Sequence, residues 1–204
     1  PNTNFAVIID YSLPSTMKRL ILMDFNTGQL ERFYVAHGIR SGVIQTRSFA
    51  NIVDSWKSSL GFYYAKGTYQ SAKNGLSMYL VGIDRSNNRS KERTIVIHGA
   101  KYVSDDFIFQ NGRLGWSEGY PAVALDVAPR LISILKNGSV VLAYHQDLMV
   151  AARQYPDEQD LPGEEILPPG VNIDRTPGEG GAIPPVKPTD APQFDYILPE
   201  FRLD

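Results

Sequence analysis

Short apolar runs, many of them β-branched and interrupted by Gly, Asn or Pro, dominate the first 145 positions of this 204-residue chain. Phe5-Ala-Val-Ile-Ile-Asp10 lies between Asn4 and Ser12-Leu-Pro14 and predicts a strand. The runs at 19–25 and 29–36 flank Asn26-Thr-Gly28, whose Asn and Gly tolerate the positive φ of a tight turn, so together they predict a β-hairpin. Between residues 39 and 59 the apolar positions scatter among Gly, Ser, Thr and Asn, which reads as a long loop. Strand character resumes at 60–65, with Gly67 expected to turn the chain, and again at 76–83. A third run, Thr94-Ile-Val-Ile-His98, ends in a histidine. Beyond it, residues 102–109 predict one helical turn, 139–145 a strand and 148–155 a short helix.

The clearest helix lies between these last elements. Val127, Leu131 and Leu135, with Ala128 and Ile132 beside them, recur at the spacing that places them on one face. Asp126 is a candidate cap, Pro129 suits the first turn, and Asn137-Gly138 supplies a left-handed stop. The pattern predicts a mainly β (α+β) fold with one packed helix over 127–136.

After Tyr155 the periodic pattern disappears. Ten of the 14 prolines and five glycines fall in the last 49 residues. Charge divides at the same place: residues 1–155 carry 17 basic and 11 acidic side chains, and residues 156–204 carry 3 and 11, which the net charge of −2 conceals. Two units follow, a domain over 1–155 and an acidic, Pro-rich extended C-terminal strap or tail over 156–204. Phe194, Tyr196, Ile197, Leu198, Phe201 and Leu203 are the expected anchors of that strap.

Composition also removes several chemistries. With no cysteine there is no disulfide, no thiolate metal site and no thiol nucleophile. His37, His98 and His145 lie on separate predicted strands without ligand-like spacing, so neither a metal nor a cofactor is expected. No apolar run approaches the roughly 20 residues that span a bilayer, so no transmembrane segment is expected. Arg85, Arg89, Lys91 and Arg93 form a basic run without interleaved aromatics, which reads as a solvated loop and not as a nucleic-acid surface. The chain opens on Pro1 and not on Met, so it is expected to be a processed product whose export signal has been removed.

The candidate chemistry gathers where the His98 strand meets a glycine-punctuated loop, Gly112-Arg-Leu-Gly115-Trp116-Ser117-Glu118-Gly119-Tyr120-Pro121-Ala-Val123. A rigid strand that ends in an imidazole beside such a loop delivers a titratable group to the rim of a cleft. This stretch resembles the murein L,D-transpeptidase catalytic domain family, in which an Ile-His-Gly strand supplies a base and a Gly-Arg-Leu-Gly-Arg-Ser-Trp-Gly-Cys-Pro-Ala-Val loop supplies a cysteine nucleophile. His98, Gly99, Gly112 to Gly115, Ser117, Gly119 and Pro121 to Val123 match. Trp116 stands for the family arginine, Glu118 for its tryptophan and Tyr120 for its cysteine. Further landmarks, among them Asp24, Val35-Ala-His37-Gly38, Ser41-Gly42 and Thr68-Tyr69, extend the likeness over roughly residues 4–145.

The resemblance implies an L,D-transpeptidase-like β-sandwich, an exported or periplasmic location, and peptidoglycan, its muropeptides or a wall-associated protein as partner. It also implies that His98, Gly99, Ser117, Gly119 and Tyr120 form a remnant catalytic site, with His37, Trp116 and Glu118 touching substrate. A transpeptidase needs a thiolate beside an imidazole. Tyr120, with a reference pKa of about 10, is a poor replacement. The expectation is therefore a pseudoenzyme. Two alternatives stand beside it: an active transpeptidase or carboxypeptidase that uses Ser117 with His98, and a scaffold whose cleft is filled by the tail.

Overall fold

The structure, a computed structural model, describes residues 2–161. β1 (Phe5–Asp10), β2 (Leu20–Asp24) and β3 (Leu30–Phe33) form an antiparallel meander, with Gly28 at φ 73° in the turn between β2 and β3. β5 (Gly61–Ser71) and β6 (Gly75–Gly82) form a long hairpin, and β7 (Val96–Ala100) adds antiparallel to β6. β8 (Ala122–Ala124) lies parallel to β7, while β9 (Val140–Tyr144) slots between β1 and β5. The resulting order is β3-β2-β1-β9-β5-β6-β7-β8.

This sheet curls until its edges meet. Ala36, just past β3, donates its N–H to the carbonyl of Ala122 in β8 at 2.8 Å. The two packed faces of the expected sandwich are thus halves of one nearly closed sheet, mainly β as the sequence pattern predicts. Val7 and Ile9 alternate inward from β1 and meet Leu20, Leu22, Tyr63 and Leu80 in the principal core. Helix α2 (Ala128–Leu135) covers this core with Leu131, Ile132 and Leu135, each almost wholly buried. Burial of that size stabilises by about 1.5–3 kcal/mol per side chain. The helix sits close on β7 because Gly99 has no side chain; a Cβ there would lie 3.0 Å from that of Ala128.

Several local expectations are corrected. Gly67 does not turn the chain: β5 continues to Ser71 through a register shift between Lys66 and Thr68, and the turn falls at residues 72–74. A glycine in a strand often marks such a bulge. Residues 39–59 include a 3-10 turn, Ile39–Ser41, and the short strand β4 (Ser48–Ala50). α2 is capped by Val127 without a side-chain bond, not by Asp126. Its stop is as read, with Asn137 at φ 82° and Gly138 at φ 101°. The basic loop 84–93 is partly built into the body, because Ser86 and Asn87 donate to the carbonyls of Leu60 and Phe62 at 2.9 Å each.

The expected turn after β7 is helix α1 (Asp105–Asn111), capped by Ser104, whose Oγ accepts from the Phe107 N–H at 3.1 Å. Helix α3 (Met149–Gln154) follows β9. Strand β10 (Glu158–Asp160) then pairs antiparallel with β4, so the first residues assigned to the tail lie on the body. The expected strap beyond them, with its aromatic anchors, lies outside the described residues.

Candidate functional site

β7 and β8 run side by side with His98 opposite Ala122, and the loop between α1 and β8 folds back over them. His98, Ser117, Glu118 and Tyr120 together line one cleft of about 30 Å³, completed by Tyr102 and by Lys73 and Asn74 from the β5–β6 turn. A water occupies roughly 10–15 Å³, so the enclosed space holds a water or two, or one polar group of a ligand that lies across its mouth.

His98 is 2% exposed. Its Nδ1 lies 3.1 Å from the Gly99 carbonyl, an acceptor, so Nδ1 carries the proton and Nε2 keeps its lone pair. That Nε2 is buried without a hydrogen-bond partner among the described residues. Burial pushes the imidazole below its ordinary pKa and the Lys73 charge adds to this, against the Gly99 bond and Glu118. At neutral pH His98 is uncharged, and among the described residues no donor meets its Nε2.

The Tyr120 ring meets His98 edge to face, with centroids 5.6 Å apart at 72°. Its hydroxyl donates to Glu118 Oε2, and Glu118 Oε1 accepts from Lys73 Nζ at 2.7 Å. Burial, then the Glu118 acceptor and its charge, push the phenol well above its usual pKa, so phenolate is negligible at pH 7. Glu118 itself is held low, first by the Lys73 bond and then by that of Tyr120.

Ser117 is tied down. Its Oγ donates to the Tyr120 carbonyl at 2.5 Å and accepts from the Gly119 N–H at 3.2 Å. Its backbone N–H donates to His37, and its carbonyl accepts from Ile39 at 2.9 Å. Gly119 holds φ 114°, and a Cβ there would lie 2.7 Å from the Lys57 carbonyl, so both conformation and space require glycine. Because its N–H bonds Ser117, Gly119 does not offer that donor to a developing oxyanion.

His37 and Trp116 are not brought to the cleft. His37 is fully buried: Arg19 Nη2 donates to its Nδ1 at 2.7 Å and its Nε2–H donates to the Gly42 carbonyl at 2.8 Å. Trp116 packs with Ile39 and Val43, donates to the Val43 carbonyl at 3.1 Å, and stacks under the Arg113 guanidinium 3.4 Å from its ring centre. Sequence reasoning missed Lys73, Asn74 and Tyr102. Residues 72–75 carry a turn signal, but nothing in it names Glu118, 45 residues away, as the group that Lys73 reaches. Among the described residues no cluster of His, Asp or Glu is arranged to hold a metal, and no helix is long and apolar enough to cross a membrane.

A family model described as the L,D-transpeptidase catalytic domain matches residues 1–144. The chain belongs to the L,D-transpeptidase catalytic domain family. Solved structures similar to it include an L,D-transpeptidase from Stackebrandtia nassauensis, 14% identical over 71% of this chain and 57% of that one, with a TM-score of 0.41. Another is an L,D-transpeptidase from Mycobacterium smegmatis, 8% identical over 69% and 58%, with a TM-score of 0.44. The chain thus spans less than three fifths of the length of these two proteins. No curated protein sequence matches it.

Proposed function

We propose that this L,D-transpeptidase-like chain is catalytically degenerate and acts at the bacterial cell wall, exported from the cytoplasm, by binding peptidoglycan stem peptides without acylating them. One observation carries the reading: Tyr120 stands where the resemblance puts a cysteine, edge-on to His98, with its hydroxyl donated to Glu118. An acyl transfer needs a nucleophile that the base can deprotonate. Tyr120 has its pKa raised, and these 204 residues contain no thiol.

The alternative nucleophile, Ser117, is disfavoured by its bonds, because its proton goes to the Tyr120 carbonyl and not to His98. What remains is a neutral imidazole, an ion-paired carboxylate and two tyrosine side chains around a small cleft, a set suited to recognition of polar peptide groups.

The test is titration of the isotope-labelled protein with purified tetrapeptide muropeptides, read by NMR and then by mass spectrometry of the mixture. Saturable shifts at His98, Glu118 and Tyr120 with unchanged muropeptide masses are expected. Trimmed or cross-linked products overturn the degenerate reading, and the absence of any shift overturns the binding reading.

A further inference from the structure

The family match ends at residue 144, yet a segment beyond it is built into the backing of the cleft loop. β10 pairs with β4 in register, Glu158 with Ala50, Gln159 with Phe49 and Asp160 with Ser48. The pairing is extended at both ends, where the Asn51 N–H donates to the Asp157 carbonyl and the Leu161 N–H to the Arg47 carbonyl, each at 2.8 Å. Gln159 is 3% exposed, and Leu161 packs against the principal core. This is a fitted strand and not a chain end lying loosely on a surface.

What β10 holds is the segment after β4, and Lys57 joins the two. Its Nζ pairs with Glu158 and, at 3.3 Å, with Asp160, while its side chain is largely covered. Its carbonyl accepts from Arg93, whose other nitrogen donates to the Ala50 carbonyl at 2.5 Å. The same Lys57 carbonyl is the atom against which Gly119 rests. The neighbouring Ser58 Oγ accepts from the Gly38 N–H at 3.0 Å, and Gly38 bridges to Ser117. One side of Lys57 therefore meets the C-terminal strand and the other meets the loop that carries Ser117, Glu118 and Tyr120.

We infer that β10 is a positioning strap for the cleft: through Lys57, residues 157–161 fix the backbone of Gly119 and hence the placement of Glu118 and Tyr120 against His98. Lys57, Glu158 and Asp160 touch no ligand in this account, and Lys57 acts through Gly119. The strap operates whether or not the cleft binds stem peptides, so its failure and the failure of that function are separate results.

The experiment is amide hydrogen exchange on the full chain, resolved by NMR at Gly119 and Tyr120 with Ile9 and Val141 as references in the sheet. Lys57→Met is expected to speed exchange at Gly119 by about threefold to tenfold, the range open to a partly covered, charge-assisted contact. Ile9 and Val141 should not change. Glu158→Gln combined with Asp160→Asn should reproduce the effect from the other partner, and Lys57→Arg should restore protection. An equal rise at all four amides would mean general destabilisation and overturns the proposal. So does loosening of residues 48–58 with Gly119 unaffected.

Discussion

His37 offers a sharp test of the account, because the structure gives the imidazole a fully buried place that excludes its protonated form. Arg19 donates to Nδ1, so a proton there would set imidazolium against guanidinium, and Nε2 already donates to Gly42. Burial, followed by the Arg19 charge, lowers its pKa to about 3. In the unfolded chain it returns to about 6.5. A histidine with a depressed native pKa contributes stability that is complete above the unfolded value and declines as pH falls from about 6.5 toward the native one. Between pH 6.5 and 5, before most carboxylates titrate, the linkage relation makes this about 1.5 kcal/mol for His37 alone. His37→Gln keeps an acceptor for Arg19 and a donor for Gly42 but does not titrate. Urea denaturation of both proteins at pH 6.5 and 5 should show the variant lacking about that much of the decline; His98 and His145, also depressed by burial, supply a remainder common to both. Equal declines in the two proteins would refute the assignment of His37 as a buried neutral strut.

Three further outcomes follow from the cleft and core. Tyr120→Phe removes the donor to a part-exposed Glu118 carboxylate and should cost about 1 kcal/mol, or about 2–4 °C in melting temperature for a domain of this size. Since Glu118 is held below its ordinary pKa, that difference should be present above about pH 4.5 and shrink as pH falls through the native value, which thermal melts across pH 3–7 would show. Gly119→Ala must place a Cβ 2.7 Å from the Lys57 carbonyl at φ 114°, so a cost of at least about 1–3 kcal/mol and displaced Ser117 and Tyr120 signals are expected by chemical denaturation and NMR. Leu131→Ala empties a position buried under α2 and should cost about 2–5 kcal/mol by denaturant titration, with the cleft signals unchanged.

The sequence was most informative where one element decides its own burial. β1 runs over Phe5–Asp10 as its short, bounded β-branched run indicates, and α2 follows its apolar stripe to the Asn137-Gly138 stop. That the histidine of β7 and the loop after α1 would lie together was legible because both are local features joined by a short connection. Illegible were features fixed by partners far away in sequence. Gly67 reads as a turn until the β5–β6 register is known, when it becomes a bulge. Lys73 is an ordinary turn lysine until the hairpin brings it to Glu118. His37 and Trp116 carried the resemblance's chemistry in the chain and are packing groups in the fold, one under Arg19 and the other under Arg113. β10 had no signal, since three polar residues show no pattern until β4 pairs with them.

The most direct measurement compares this chain with Tyr120→Cys on purified tetrapeptide muropeptides by intact-protein and muropeptide mass spectrometry. The account predicts that the native chain stays unmodified, while in the variant the new thiol, beside the neutral His98, attacks the stem-peptide carbonyl. A thioester adduct then forms as the terminal residue leaves. An adduct or processed muropeptide with the native chain, or a folded Tyr120→Cys protein that neither binds nor acylates, would contradict it.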